Sequence, residues 1–189
     1  MNSKFLLLLG VSGVGKSTIM GYLRRLDPKF VYISPYITRQ LRFGEKDKVF
    51  ISDTEMDKRE AMGEFLVVNP LYGIRYATPR QPIQDALMQG LYPLLDWPIS
   101  KMAIMQHAFP NQLHSIYIEP PSLEELQRRL NNDDRDADGH RLASGKEELL
   151  QLYAGDYDRL YDARIIAHDM REDEAARAVY DLYLMAIHN

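Results

Sequence analysis

Five apolar residues in a row, Phe5-Leu6-Leu7-Leu8-Leu9, follow Lys4 and stop at Gly10. So short a run bounded by a turn predicts a buried strand. A secretory core needs roughly 7–15 apolar residues and a membrane span about 20. Gly10 to Ser17 reads Gly-Val-Ser-Gly-Val-Gly-Lys-Ser, after which Ile19, Leu23 and Leu26 recur at helical spacing until Asp27-Pro28 stops the helix. The chain therefore opens as strand, glycine-rich loop and helix. A second apolar stretch, Phe30 to Ile33, runs into Ser34-Pro35-Tyr36-Ile37-Thr38-Arg39. Proline and polar residues there predict an irregular segment leaving the sheet.

Residues 34 to about 90 interrupt the alternation and read as an insertion. Short strands are expected at 49–51 and 65–68, a polar helix around 53–62, turns at Gly44, Gly63, Pro70 and Gly73, and a helix over 80–89 closed by Gly90. Leu91 to Asp96 is a core strand ending in an acid. Further on come a helix over 102–108, a strand over 115–118, and a helix over 122–130 with Ser122 as N-cap and Glu125 at its third position. Residues 131–140 carry almost no apolar side chains and read as a mobile loop. A helix from about 141 to 160, a strand over 164–167 and a helix over 173–187 complete the chain, the last placing Ala176, Val179, Tyr180, Tyr183 and Ile187 on one face. Strand-helix alternation implies an α/β fold with a central parallel sheet covered on both faces.

At 189 residues, with 46% hydrophobic and 26% charged residues, the chain fits one domain with a sizeable core. A net charge of -4 speaks against a protein that coats nucleic acid or anionic membrane, so any anion site is local. The absence of cysteine excludes disulfides, a thiol nucleophile and thiolate metal sites, and suits the cytoplasm.

Gly10-x-x-x-x-Gly15-Lys16-Ser17 is a complete P-loop signature in the strand-loop-helix context that it requires. Glycines let backbone N–H groups turn around phosphate oxygens, and the helix N-terminus adds positive potential. Lys16 then reaches the β and γ phosphates, and Ser17 ligates Mg²⁺. A GTPase is a poor fit: Asp136-Ala-Asp-Gly139 lies in the polar loop, and no Asn-Lys-x-Asp follows. Arg39 and Arg42, three apart, can converge on one phosphate, although alone a solvated charged turn fits them equally. Tyr72 beside Gly73 is either a phosphate-facing hydroxyl or a packed aromatic.

Taken in order, these segments resemble the guanylate kinase family over nearly the whole chain. The loop Gly10 to Thr18, Thr38-Arg39-x-x-Arg42-x-Gly44-Glu45, Gly63-Glu64-Phe65-Leu66, Tyr72-Gly73, Pro120 to Leu126, Arg141-Leu142 and Tyr161-Asp162 carry the likeness. It implies a P-loop three-layer α/β/α core (1–33, 91–125, 143–189), an acceptor-binding insertion (34–90) and a short lid (126–142). It further implies ATP-dependent transfer of a phosphoryl group to a nucleoside monophosphate, by family default GMP, with Mg²⁺. ATP would be held by Gly10, Ser12, Gly13, Val14, Gly15, Lys16, Ser17 and Thr18. Arg39, Arg42 and Tyr72 would hold the acceptor's phosphate, with Ser34, Lys48, Val67 and Asp96 completing its site. Arg129 and Arg141 would neutralise the transferring group alongside Lys16 and Arg39, and Ser17 and Asp96 would serve the metal.

The departures lie on the base side. The family's guanine-reading glutamate falls at Val67, its aspartate at Pro98, its Ser or Thr after Tyr-Gly at Ile74, and a phosphate-contacting tyrosine at Lys48. The family serine falls at Pro35, with Ser34 adjacent. Losing a carboxylate to valine costs a polar-base pocket its discrimination, and Lys48 fits a more anionic acceptor or a different base. An alignment shifted by one or two residues would instead let Glu45, Glu64 or Asp53 contact guanine. Arg135 could replace a lid arginine that the family places at Asp133. Tyr36 to Arg39 also resembles the ribose 1,5-bisphosphate kinases, whose acceptor is a sugar phosphate. A third reading is an inactive guanylate-kinase-like binding module. The partner in either kinase reading is a small phosphorylated acceptor; oligomeric state is left open.

Overall fold

β1 (Phe5–Leu9) has no exposed residue because it is the middle strand of a sheet covered on both faces. The structure, a computed structural model, describes residues 4–71, 73–132, 139–168 and 171–188. Beside β1 lie β7 (Tyr92–Asp96) and β8 (Leu113–Glu119), flanked in turn by β2 (Phe30–Tyr32) and β9 (Ala163–Ile166), all parallel in the order β2-β7-β1-β8-β9. Helices α1 (Lys16–Leu26), α3 (Gln81–Met88), α4 (Met102–Ala108), α5 (Leu123–Asn132), α6 (His140–Ala154) and α7 (Glu172–His188) flank this sheet. α1 and α7 pack against each other, and the rings of Phe30, Tyr92 and Tyr183 meet at 5.0–5.3 Å between centroids. Burial of each core leucine contributes roughly 1.5–3 kcal/mol. The expected three-layer α/β/α core with a central parallel sheet is the observed one.

Residues 36–79 build a second sheet in the order β4-β3-β6-β5, from β3 (Tyr36–Ile37), β4 (Val49–Phe50), β5 (Phe65–Leu71) and β6 (Ile74–Pro79). α2 (Asp53–Ala61) packs on it through Met56, which is buried against Phe65 and Ala77. Ser52 caps α2 by accepting the Glu55 N–H at 3.1 Å.

Five local expectations need correction. The segment 34–39 is not wholly irregular, since Tyr36 and Ile37 pair with both β4 and β6. Pro70 is no turn; it sits in β5 opposite Arg75, and the hairpin turns later. The helix expected over 141–160 ends at Ala154, because Gly155 takes a left-handed φ of 85° and its N–H closes back on Gln151 and Leu152. α5 runs on through Asn132 into the stretch read as a loop, and α6 already begins at His140. Leu26, placed on the buried face of α1, is exposed, and Met20 is buried instead. Ser122 does cap α5, accepting the Glu125 N–H at 3.1 Å.

Candidate active site

β1 is followed by a loop that three glycines shape. Gly10 has φ 125°, Gly13 φ 85°, and Gly15, at the start of α1, φ 104°. Gly10 also needs to be glycine for space: a Cβ there would sit 3.2 Å from the Ile118 carbonyl carbon and closer still to its oxygen. Lys16 folds back over this loop, and its ammonium donates to Gly10 O at 2.5 Å and Val11 O at 3.0 Å. Desolvation lowers its pKa, while the carboxylates of Asp96 and Glu148 oppose that shift. Ser17 and Thr18 are exposed in the first turn of α1, where the helix presents its unpaired N–H groups.

Two arginines reach the loop from elsewhere in the chain. Arg141 of α6 donates to Ser12 Oγ at 3.1 Å. Arg129 of α5 donates to Val14 O at 3.0 Å, to Ala167 O at 2.9 Å and to Glu125 at 2.8 Å. Both arginines therefore lie beside the glycine loop, and Arg129 also ties that loop to the end of β9. Asp96 is exposed at the end of β7, in register with Leu8 of β1.

Glu148 and Tyr117 were missed. Tyr117 is buried in β8 and donates to Glu148 Oε1 at 2.8 Å. Burial raises the Glu148 pKa, while the Tyr117 hydroxyl and the Lys16 charge pull it down. The sequence did carry a signal, because Gly145, Glu148, Leu149 and Leu152 recur at helical spacing and put a carboxylate in the inward stripe of α6.

A second cationic group lies on the smaller sheet. Arg39 grips Glu45 with both terminal nitrogens, Nη1 to Oε2 and Nη2 to Oε1, each at 2.7 Å. Lys48 donates to Glu45 Oε1 at 3.0 Å, and the Arg42 N–H donates to Oε2 at 3.1 Å. The Arg39 bond, with lesser help from Arg42 and Lys48, holds the Glu45 carboxyl far below the usual carboxylate range. Arg39 faces inward onto Glu45, while the Arg42 side chain is exposed and that residue meets Glu45 through its backbone N–H. Tyr76, not anticipated, lies against the Arg39 guanidinium from β6. Alternation explains it, since Arg75 and Ala77 face α2 and Tyr76 must face the other way.

Between this group and the main sheet opens a cleft of about 400 Å³, lined by Arg24, Tyr32, Ser34, Glu45, Lys46 and Asp47. Burial, then Asp96, Asp47 and Glu45, push the Tyr32 phenol far up. Ser34 is on a wall of this cleft. Val67 is half-buried in β5 opposite Thr78 and packs towards the main core. The carboxylates that a shifted register would offer to a base are engaged: Asp53 with Arg75 at 3.4 Å, Glu64 with Arg59 at 4.0 Å, and Glu45 as above. Tyr72, Asp133, Arg135 and Asp136 lie outside the described residues. Among the described residues no helix is long and apolar enough to cross a membrane.

A guanylate kinase family model matches residues 2–180. A guanylate kinase of Nostoc sp. is 34% identical over 155 residues, 79% of this chain and 77% of that protein. One from Streptomyces kasugaensis is 37% identical over 148 residues, 75% of this chain and 72% of its own length. The crystal structure of guanylate kinase from Anaplasma phagocytophilum superposes with a TM-score of 0.77 at 24% identity, covering 99% of this chain and 87% of the other. Shikimate kinase from Acinetobacter baumannii shares the fold more distantly, with a TM-score of 0.53 at 14% identity over 97% of this chain and 94% of its own.

Proposed function

The chain belongs to the guanylate kinase family, and we propose that it transfers the γ-phosphoryl group of ATP to GMP, yielding ADP and GDP. One observation carries this reading most: two cationic groups, the Lys16 loop with Arg129 and Arg141, and Arg39 with Lys48 and Arg42, in a chain of net charge -4. Each suits one phosphorylated substrate.

Gly10 to Thr18 would hold the ATP phosphates, with Lys16 exchanging its two loop carbonyls for phosphate oxygens. That exchange is favourable because a desolvated ammonium gains more from an anionic partner than from neutral carbonyls. Arg39, Arg42, Lys48 and Ser34 would hold the acceptor. Its phosphate, with a second pKa near 6, is already a dianion at pH 7, so an oxygen lone pair can attack γ-phosphorus without a general base. The new P–O bond forms as the bond to the β-phosphate oxygen breaks, and that oxygen leaves on ADP. Arg129 and Arg141 would neutralise charge on the moving group, a largely electrostatic contribution.

The donor set suits Mg²⁺: the exposed Ser17 hydroxyl and the exposed Asp96 carboxylate supply one or two hard oxygens, which is all that an ion held mainly by phosphates and water requires. Held by Ser17 and Asp96, Mg²⁺ would supply charge neutralisation for the ATP phosphates. The intact loop with Lys16 folded over it speaks against an inactive binding module. On the base side, Val67 and the engaged carboxylates support weaker discrimination of guanine than a carboxylate-lined pocket would give. The test is ADP release with ATP, Mg²⁺ and a panel of GMP, dGMP, AMP, CMP, UMP and ribose phosphates. Turnover fastest with GMP is expected; turnover with a sugar phosphate but no nucleotide would overturn the assignment.

A further inference from the structure

We propose that Glu45 is a positioning residue that gathers Arg39 and Lys48 into a single acceptor-phosphate clamp, with Lys48 as its third cation. The inference rests on the chain being a GMP kinase and concerns how its acceptor phosphate is held. Glu45 spends both oxygens on four donors: Arg39 Nη1 and Nη2, Lys48 Nζ and the Arg42 N–H. The Glu45 N–H in turn donates to Arg42 O at 3.0 Å, so the same residue closes the turn that carries Arg42, with Gly44 left-handed at φ 79°. Side-chain exposures of 18%, 12% and 21% for Arg39, Glu45 and Lys48 take the group out of the weak regime of fully exposed surface pairs.

What Glu45 leaves over is what a phosphate needs. Its grip uses the Nη1–Nη2 edge of the Arg39 guanidinium, Nη1 also donates to Gln40 O at 2.9 Å, and the buried Nε finds no acceptor among the described residues. Lys48 has three donors, of which Glu45 takes one at 3.0 Å and Asp47 a longer one at 3.4 Å. Arg39, Arg42 and Lys48 against Glu45 and Asp47 leave the turn net positive, which favours an anionic acceptor. Without the Glu45 carboxylate, only Asp47 would oppose the three like charges, and the flexible Lys48 stem would lose the contact that holds it beside Arg39.

This assignment makes a prediction opposite in sign to simple charge counting. Deleting a negative charge beside an anion site should tighten acceptor binding if Glu45 only repels the phosphate. If Glu45 positions the clamp, Glu45→Gln must weaken it, because the amide offers one acceptor oxygen instead of two and turns a donor towards the two cations. The expected result is a rise of about 10- to 100-fold in the KM for GMP, the scale of a lost charge-assisted hydrogen-bond set, with kcat, the KM for ATP and the melting temperature largely kept. Lys48→Met should raise the GMP KM several-fold alone and add little in the Glu45→Gln background, since both changes dissolve one unit. An unchanged or lowered GMP KM in Glu45→Gln overturns the proposal. Should that variant fail to fold, an unchanged GMP KM in Lys48→Met does the same. A wild-type protein that forms no GDP refutes the kinase reading instead, so the two failures are distinguishable.

Discussion

Replacing Gly10 and Gly15 separately by alanine distinguishes the two physical demands on the phosphate loop. Both glycines have positive φ, 125° and 104°, so either alanine meets backbone strain of about 1–3 kcal/mol. Only Gly10 is also crowded. Its Cβ would press on the Ile118 carbonyl in the hydrogen-bonded middle of β8, where the backbone cannot yield, whereas a Cβ on Gly15 would meet nothing within 4 Å. Overpacking of that kind costs about 1–3 kcal/mol, so Gly10→Ala should be less stable than Gly15→Ala by ~2 kcal/mol. At roughly 2–4 °C per kcal/mol for a chain of this size, its melting temperature should fall about 4–8 °C below that of Gly15→Ala. Moving the backbone at Gly10 also distorts the loop that would cradle the ATP phosphates, so stabilisation by Mg-ATP should be smaller in Gly10→Ala than in wild type. Thermal melts followed by circular dichroism, with and without Mg-ATP, measure both effects. If Gly10→Ala melts with Gly15→Ala or above it, the close approach of β1 and β8 at the loop is not as described.

Other substitutions reach other parts of the site. Lys16→Met should lower kcat by about 10²–10³-fold while leaving the melting temperature near wild type, and near-normal turnover in steady-state assays would remove Lys16 from the mechanism. Val67→Glu should lower the KM for GMP by about tenfold or more without helping AMP; equal effects on both would mean that the base is read elsewhere. Acid should destabilise the fold through His114, whose ring lies 6.4 Å from that of Tyr183, whose Nδ1 is 3.6 Å from Asp162, and whose buried Nε2 has no acceptor among the described residues. Burial depresses its pKa below 6.5 and Lys4 adds to the shift, while Asp162 opposes it. The unfolded chain therefore binds the proton more readily, and stability present above about pH 6.5 is lost as pH falls through that window. The urea midpoint should drop from about pH 7 to about pH 5.5, and His114→Gln should flatten part of the slope; a flat wild-type profile would contradict the assignment.

The donor half of the site was legible because its chemistry is local. Gly10, Gly13, Gly15 and Lys16 sit in one short loop after a strand of five apolar residues, and glycine spacing reports backbone geometry directly. Arg129 and Arg141 were placed by resemblance, and their reach back to Val14 and Ser12 depends on how α5 and α6 pack over the loop. The acceptor half was less legible because its contacts are set by register. Tyr76 meets Arg39 only because β6 pairs with β3 at Ile37, and nothing in the local pattern announces that pairing. Pro70 looked like a turn since proline lacks a donor, yet β5 is the outer strand of its sheet, where a missing donor is tolerated. The overlong helix after 141 arose because Leu149, Leu152 and Leu160 continue an apolar pattern past Gly155, and the glycine, not the pattern, ends the helix. Glu45 was read as a motif letter or a base contact; its role as the hub of Arg39 and Lys48 is a tertiary fact.

The central claim, phosphoryl transfer from ATP to GMP, is tested most directly by incubating the protein with Mg²⁺, GMP and ATP labelled in its γ-phosphoryl group and following the label. Wild type should move the label into GDP, and Lys16→Met should do so far more slowly under the same conditions. Label found only in inorganic phosphate, or in GDP equally with both proteins, would contradict the account.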